Sequence, residues 1–221
     1  MELLAALRER RSIRKFKPTD VSQNIIMEIL NDARWSPSWG NTQPWEFYVL
    51  TGKTLAKFKE MNLQKSAAGE APASDVPMPE NWPIVLKARY SEMSRILLTA
   101  LGIQREDKES RNKFNQSMFA LFDAPCLILA CISREHPVEY QMLDIGLITQ
   151  SICLLAHDRG LGTCIMAAAV RYPDAIRKIA AIPENKRIVA GVALGYPDPA
   201  YPLYKLQRKR ADIAELVHLA E

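Results

Sequence analysis

Two arginine-rich stretches near opposite ends of the chain carry the residue types that bind phosphate. Residues 8–17 (RERRSIRKFK) hold six basic side chains and one acidic one, and residues 205–210 (KLQRKR) hold four basic and no acidic ones. In the first, Arg10, Arg11, Ser12 and Arg14 combine planar guanidinium forks with a hydroxyl donor, the groups that contact phosphate oxygens. In the second, Arg208 and Arg210 are two residues apart, so on an extended chain both side chains face the same anion. A third stretch, SPSWGNTQPW (36–45), sets Pro37, Ser38, Trp39, Asn41, Gln43 and Trp45 among prolines that stiffen the backbone. A rigid loop presenting polar groups and an aromatic suits a planar heterocycle. Taken singly, each stretch has a plainer description: a charge run is a solvated helix end, and the proline loop is a turn closing the preceding helix.

The elements that position these stretches follow from the hydrophobic periodicity. Residues 2–10 and 22–34 read as helices, the second with Ser22 as N-cap and Ile25, Ile26, Ile29, Leu30 and Ala33 on one face. EFYVLT (46–51) reads as a strand and 53–66 as a helix. Residues 67–84 hold four prolines and few aliphatic residues, the composition of an irregular surface loop. Helices over 86–102 and 107–121 follow, and the stretch 67–121 reads as a helical excursion from one domain spanning 1–221. PCLILACIS (125–133) reads as a central strand, because both faces are apolar. Residues 139–159 are apolar nearly all round, so that helix must be covered in a core or at a subunit contact. GTCIMAAA (162–169) reads as strand-like, 173–181 as a short helix and RIVAGVALG (187–195) as a strand. The expected class is α+β, with helices packed on a sheet.

The remaining signals exclude more than they assign. Hydrophobic content of 48% and charged content of 24% rule out a disordered or fibrous chain. A net charge of +4, confined to two short stretches, argues against a nucleic-acid surface. The longest apolar region, near 142–156, is broken by Asp144 and Gln150 and falls short of the roughly 18 apolar residues of a membrane span. No secretory leader is legible, so the expected compartment is the cytoplasm. Cys126, Cys131, Cys153 and Cys164 form no CxxC pair and lie in apolar runs, the setting of buried free thiols and not of a metal site. No GxGxxG follows a strand, and no P-loop, GxSxG or HExxH occurs. His136, His157 and His218 are scattered and receive no catalytic role.

The order R-R-S-x-R, then P-S-x-x-N-x-Q-P-W, resembles the nitroreductase family of flavin mononucleotide (FMN)-dependent enzymes. The similarity continues through RGLGTC (159–164), RIVAGVALGYP (187–197) and the basic tail before ELVH, and it leaves out only the variable region 52–121. The resemblance implies a nitroreductase-like, mixed and mainly antiparallel sheet flanked by helices, in an intertwined homodimer. It implies that Arg10, Arg11, Ser12, Arg208 and Arg210 hold the FMN phosphate and ribityl chain. Arg14 would stand near the pyrimidine edge, where a cation stabilises the charge left by two-electron reduction. Pro37, Ser38, Trp39 and Asn41 would reach across the dimer to the partner's flavin, and Ile165, Met166 and Ala167 would run past the ring. IMAAA departs from the Trp-, Gly- or Pro-containing family versions, so contact there would be through backbone.

What the resemblance implies for activity is hydride transfer from NAD(P)H and reduction of a nitroaromatic or similar flat, electron-poor acceptor in ping-pong order, with no essential acid or base. Enone reduction, reductive dehalogenation, flavin destruction and flavin binding without turnover are the alternatives on the same scaffold. The excursion at 67–121 is either a lid over the slot or a helical pair that widens the dimer interface.

Overall fold

The computed structural model describes residues 2–220 and is built on a four-stranded antiparallel sheet. In chain order the elements begin with helices α1 (Leu3–Glu9) and α2 (Gln23–Ala33), strand β1 (Glu46–Thr51) and helix α3 (Gly52–Ala67). Helices α4 (Ile84–Ala100) and α5 (Lys108–Phe119) follow, then strand β2 (Cys126–Ser133) and helix α6 (Val138–Asp158). The chain continues as β3 (Gly162–Met166), α7 (Pro173–Ala180) and β4 (Lys186–Gly195). The strand order is β1-β2-β4-β3, with every neighbouring pair antiparallel.

Helices cover both faces of the sheet, which is why β2 is apolar along its length. Leu127, Leu129 and Cys131 pack against Leu55 and Phe58 of α3, Phe119 of α5 and Ile176 of α7. Cys126 and Ile128, with Val192 and Leu194 of β4, pack against Ile26, Ile29 and Ala33 of α2 and Ile148, Ile152 and Ala156 of α6. The start of α2 is set by Ser22, whose Oγ accepts the Ile25 N–H at 3.3 Å and satisfies one of the free amides of the first turn.

One strand ends earlier than the sequence expectation. The strand expected over 162–169 stops at Met166 and tightens into a 3-10 turn over Ala167–Val170. Helix α6 buries Ile145, Ile148, Ile152, Cys153 and Ala156 but leaves Tyr140, Leu143 and Leu147 exposed, so only one face is covered within the chain.

The excursion divides. Helix α5 contributes Phe119 to the core, with Phe114 and Met118 packed against it, whereas α4 buries no residue. The proline-rich segment between α3 and α4 is tied down in its middle. The Asp75 side chain is only 6% exposed and pairs with Arg177 and Arg134, and its carboxylate also accepts the Ile188 N–H at 2.8 Å.

Candidate functional site

The segment after α1 lies along the outer edge of β3. Ser12 forms a parallel bridge with Thr163, and the Ile13 N–H donates to the Thr163 carbonyl at 2.9 Å. This close approach requires glycine at the start of β3, since a Cβ on Gly162 would lie 2.4 Å from Ile13 Cγ1. Four residues beyond Ile13, the Lys17 N–H donates to the Tyr196 carbonyl at 2.9 Å, which fixes the segment at its other end.

A cavity of about 290 Å³ opens beside this junction, lined by Arg10, Arg11, Ile13, His157, Leu161, Thr163 and Tyr204 among others. The tail brings the second basic stretch to it from the far end of the chain. Arg208 Nη2 donates to the carbonyls of Arg8 at 2.9 Å and Leu7 at 3.3 Å, and Arg11 Nη1 donates to the Tyr204 carbonyl at 2.9 Å. Burial, followed by the charges of Arg210, Arg10 and Arg11, pulls Arg208 below the usual arginine pKa. Three guanidinium groups have therefore been gathered within electrostatic range of Arg208, at a cost that an anion would offset. Arg10 Nε is buried without a hydrogen-bond partner among the described residues. An orphaned charged donor in an arginine-lined wall fits a phosphate group.

From this cavity, β3 leads along an open strand. Cys164 and Met166 point into the core, while Ile165 is 51% exposed and Ala167 is exposed as well. Met166 can thus meet a ligand only through its backbone, whereas Ile165 presents its side chain. Arg14 stands half-buried near Cys164, its Nη1 donating to the Ser12 carbonyl at 3.3 Å. Ser12 thus lies on the outer edge of β3, Arg10 and Arg11 line the cavity near its start, and Arg14 stands near Cys164. Ile165 and Ala167 are exposed on the strand side, and Arg208 is held against the end of α1.

Pro37, Ser38, Trp39 and Asn41 lie elsewhere. Their loop is rigid: Gly40, Asn41 and Gln43 all have positive φ, and the Gln43 N–H donates to Ser38 Oγ at 2.9 Å. Two residues of α6 hold it. Ser36 Oγ donates to Ser151 Oγ at 2.6 Å, and the Trp39 N–H donates to Asp144 Oδ1 at 2.9 Å. Trp39 remains 63% exposed, its ring 5.5 Å from that of Tyr140 across a second cavity of about 580 Å³. From Asp144 to His157, α6 rises by roughly 20 Å, so the two motif segments of one chain sit near opposite ends of the same helix.

Sequence reasoning missed several wall residues. Thr163 and Leu161 were signalled by RGLGTC, and Asp144 was visible as a charge inside an apolar helix. Nothing local signalled Tyr204. Among the described residues, no group of three His, Cys, Asp or Glu side chains is placed to hold a metal ion, and no helix is long and apolar enough to cross a membrane.

The layering and the edge-strand cavity define an α+β protein with an arginine-lined cavity bounded by residues from both ends of the chain. The family model described as Nitroreductase family matches residues 7–196, and the chain belongs to that family. It is accordingly an oxidoreductase. The 4-nitrobenzoate reductase of Nocardioides sp. (strain LMS-CY) is 30% identical over 203 residues, which cover 90% of this chain and 82% of that protein. The FMN and NADPH-dependent nitroreductase NfnB from Sphigopyxis sp. strain HMH superposes with a TM-score of 0.95 at 25% identity, covering 100% of each chain. NfnB from Mycobacterium smegmatis, solved in complex with NADPH, gives a TM-score of 0.92 at 24% identity over 99% of this chain and 97% of that one.

Proposed function

We propose that this protein is an FMN-dependent NAD(P)H oxidoreductase that reduces a nitroaromatic or similarly flat, electron-poor acceptor. The observation that carries the reading is a cavity lined by Arg10 and Arg11 beside an open edge strand, with Arg208 brought within electrostatic range of both and of Arg210. The relatives add direction, being 4-nitrobenzoate reductases and nitroreductases dependent on FMN and NADPH.

When bound, FMN supplies two-electron transfer between the reduced nicotinamide and the acceptor. The chain's own residues bind and orient it. Arg10, Arg11, Ser12, Arg208 and Arg210 hold the phosphate and ribityl chain. The backbone of 165–167 and the Ile165 side chain support the ring, and Arg14 offers a positive charge where negative charge develops. One slot over the exposed strand face serves donor and acceptor in turn, which is the basis for a ping-pong order.

The site is completed by a second copy of the chain. Pro37, Ser38, Trp39 and Asn41 lie near the far end of α6 from the arginine cavity of their own chain, a placement that supports their serving the ring of a partner subunit. The exposed Tyr140, Leu143 and Leu147 stripe on α6, with Met27 and Trp35, supplies apolar surface for that contact. Four buried free thiols suit the reducing cytoplasm.

Colour tests the reading. The purified protein is expected to be yellow and to bleach when NADH or NADPH is added without oxygen; protein that is colourless and takes up no FMN overturns it. Recovery of the colour on adding 4-nitrobenzoate or nitrobenzene identifies the acceptor class.

A further inference from the structure

The wall of the arginine cavity carries one titratable group that the reading above does not use: His157, in the last turn of α6. The fold sets it there, because the end of α6 abuts α1 and the segment that leads from it along β3. Its Nε2 is buried and has no hydrogen-bond partner among the described residues, the same condition as Arg10 Nε in the same wall. Buried polar atoms are ordinarily paired, and leaving one unpaired costs free energy. Two such atoms beside a cluster of cations mark a place where a ligand's oxygens complete the bonding.

The charges around the imidazole are Glu9, Arg10 and Arg11, from the end of α1 and the residues after it, and Asp158 on its own helix. Arg208 and Arg210 stand beyond, next to Arg10 and Arg11. Burial, together with Arg11 and Arg10, holds His157 below its ordinary pKa of 6.5 against the opposing pull of Glu9 and Asp158. An anion among the arginines offsets their repulsion of the imidazolium and supplies an acceptor, so the charged imidazole becomes favoured when the cavity is filled.

We infer that His157 is a further phosphate-binding residue, which takes up one proton from solvent as a phosphomonoester dianion enters the cavity and then donates a hydrogen bond toward it. The inference rests on the reading of this cavity as the FMN phosphate site. Linkage fixes its sign. A group whose pKa rises on binding makes affinity stronger as pH falls, by at most about tenfold per pH unit for one proton.

FMN and riboflavin are titrated against apo-protein from about pH 6.5 to about pH 8.5, a range in which a phosphomonoester with second pKa of about 6 is mostly dianionic. The wild-type Kd for FMN is expected to weaken about threefold or more across this range, within the limit for one proton. Riboflavin, which lacks the phosphate, is expected to show no such slope, and His157→Gln to remove it for FMN. A flat wild-type profile, an equal slope in His157→Gln, or an equal slope for riboflavin overturns the inference. The heat of FMN binding to the wild type, measured in buffers of different protonation enthalpy, checks it without a variant: proton uptake supports it and its absence overturns it. FMN that binds at no pH is a separate result, which removes the cofactor reading and this inference together.

Discussion

Asp144 Oδ1 accepts the backbone N–H of Trp39 at 2.9 Å, from a residue that is 2% exposed in the middle of an apolar helix. Together with the Ser36–Ser151 hydrogen bond, this contact seats the proline loop on α6, and it explains why a charge interrupts that helix. Asp144→Ala removes the acceptor for a part-buried N–H, a loss of about 1.5–3 kcal/mol for a bond to a charged group. Urea unfolding of Asp144→Ala is expected to show a drop of that size, while Asp144→Asn, which keeps an amide oxygen, loses less. If the loop serves a partner's flavin, turnover falls more in Asp144→Ala than the loss of folded protein accounts for.

Arg10→Ala combined with Arg208→Ala removes guanidinium groups supplied by opposite ends of the chain. A hydrogen bond to a charged group is worth about 1.5–3 kcal/mol, so the double variant is expected to bind FMN at least about tenfold more weakly. Equilibrium fluorescence quenching of FMN measures this directly. Unchanged affinity would place the phosphate elsewhere.

The Asp75–Arg177 pair makes a prediction about stability away from the site. Both side chains are nearly sealed from water, Arg177 being 3% exposed, and Asp75 also holds Arg134 and the Ile188 N–H. Asp75→Ala leaves a buried guanidinium without its main counter-ion, a change that costs about 3–5 kcal/mol. Denaturant titration is expected to show a loss in that range, and proteases are expected to cut the 68–83 segment faster. Glu184 and Asp174 also approach Arg177 but are themselves largely exposed, so they compensate little.

The buried thiols fix a pH response. Burial pushes Cys126 from 9.0 to about 12, and burial followed by Glu46 does the same for Cys131. Both remain protonated near pH 8, so iodoacetamide is expected to leave them unmodified in the native protein and to label them after denaturation. The raised values also contribute stability that is present in full below the unfolded pKa of about 9 and is lost as pH rises toward 12. Thermal melts recorded above pH 9 are expected to fall in temperature; rapid native labelling near pH 8 would contradict the burial of these strands.

The sequence by itself determined the secondary elements, because each is specified by residues close in the chain. Ser22 and the Ile26, Ile29, Ala33 face specify α2, and the unbroken apolar run of 126–132 can only be a strand covered on both sides. Residue types also made RRSIR and Arg208 with Arg210 candidates for anion binding, since guanidinium groups suit phosphate oxygens. Tertiary structure alone decided how these parts meet. The tail must fold back nearly the whole length of the chain before Arg208 approaches Arg10. The gap between the proline loop and the cavity is set by the length of α6, and only packing exposes that helix's Tyr140, Leu143 and Leu147. Asp75 looked like a residue in a loose proline-rich loop until Arg177, from a distant helix, was brought against it. His157 looked like a helix end until α1 closed over it. Local sequence carries propensity and chemistry, whereas burial and long-range charge arise from contacts between segments far apart in the chain, and these two quantities built the arginine cavity.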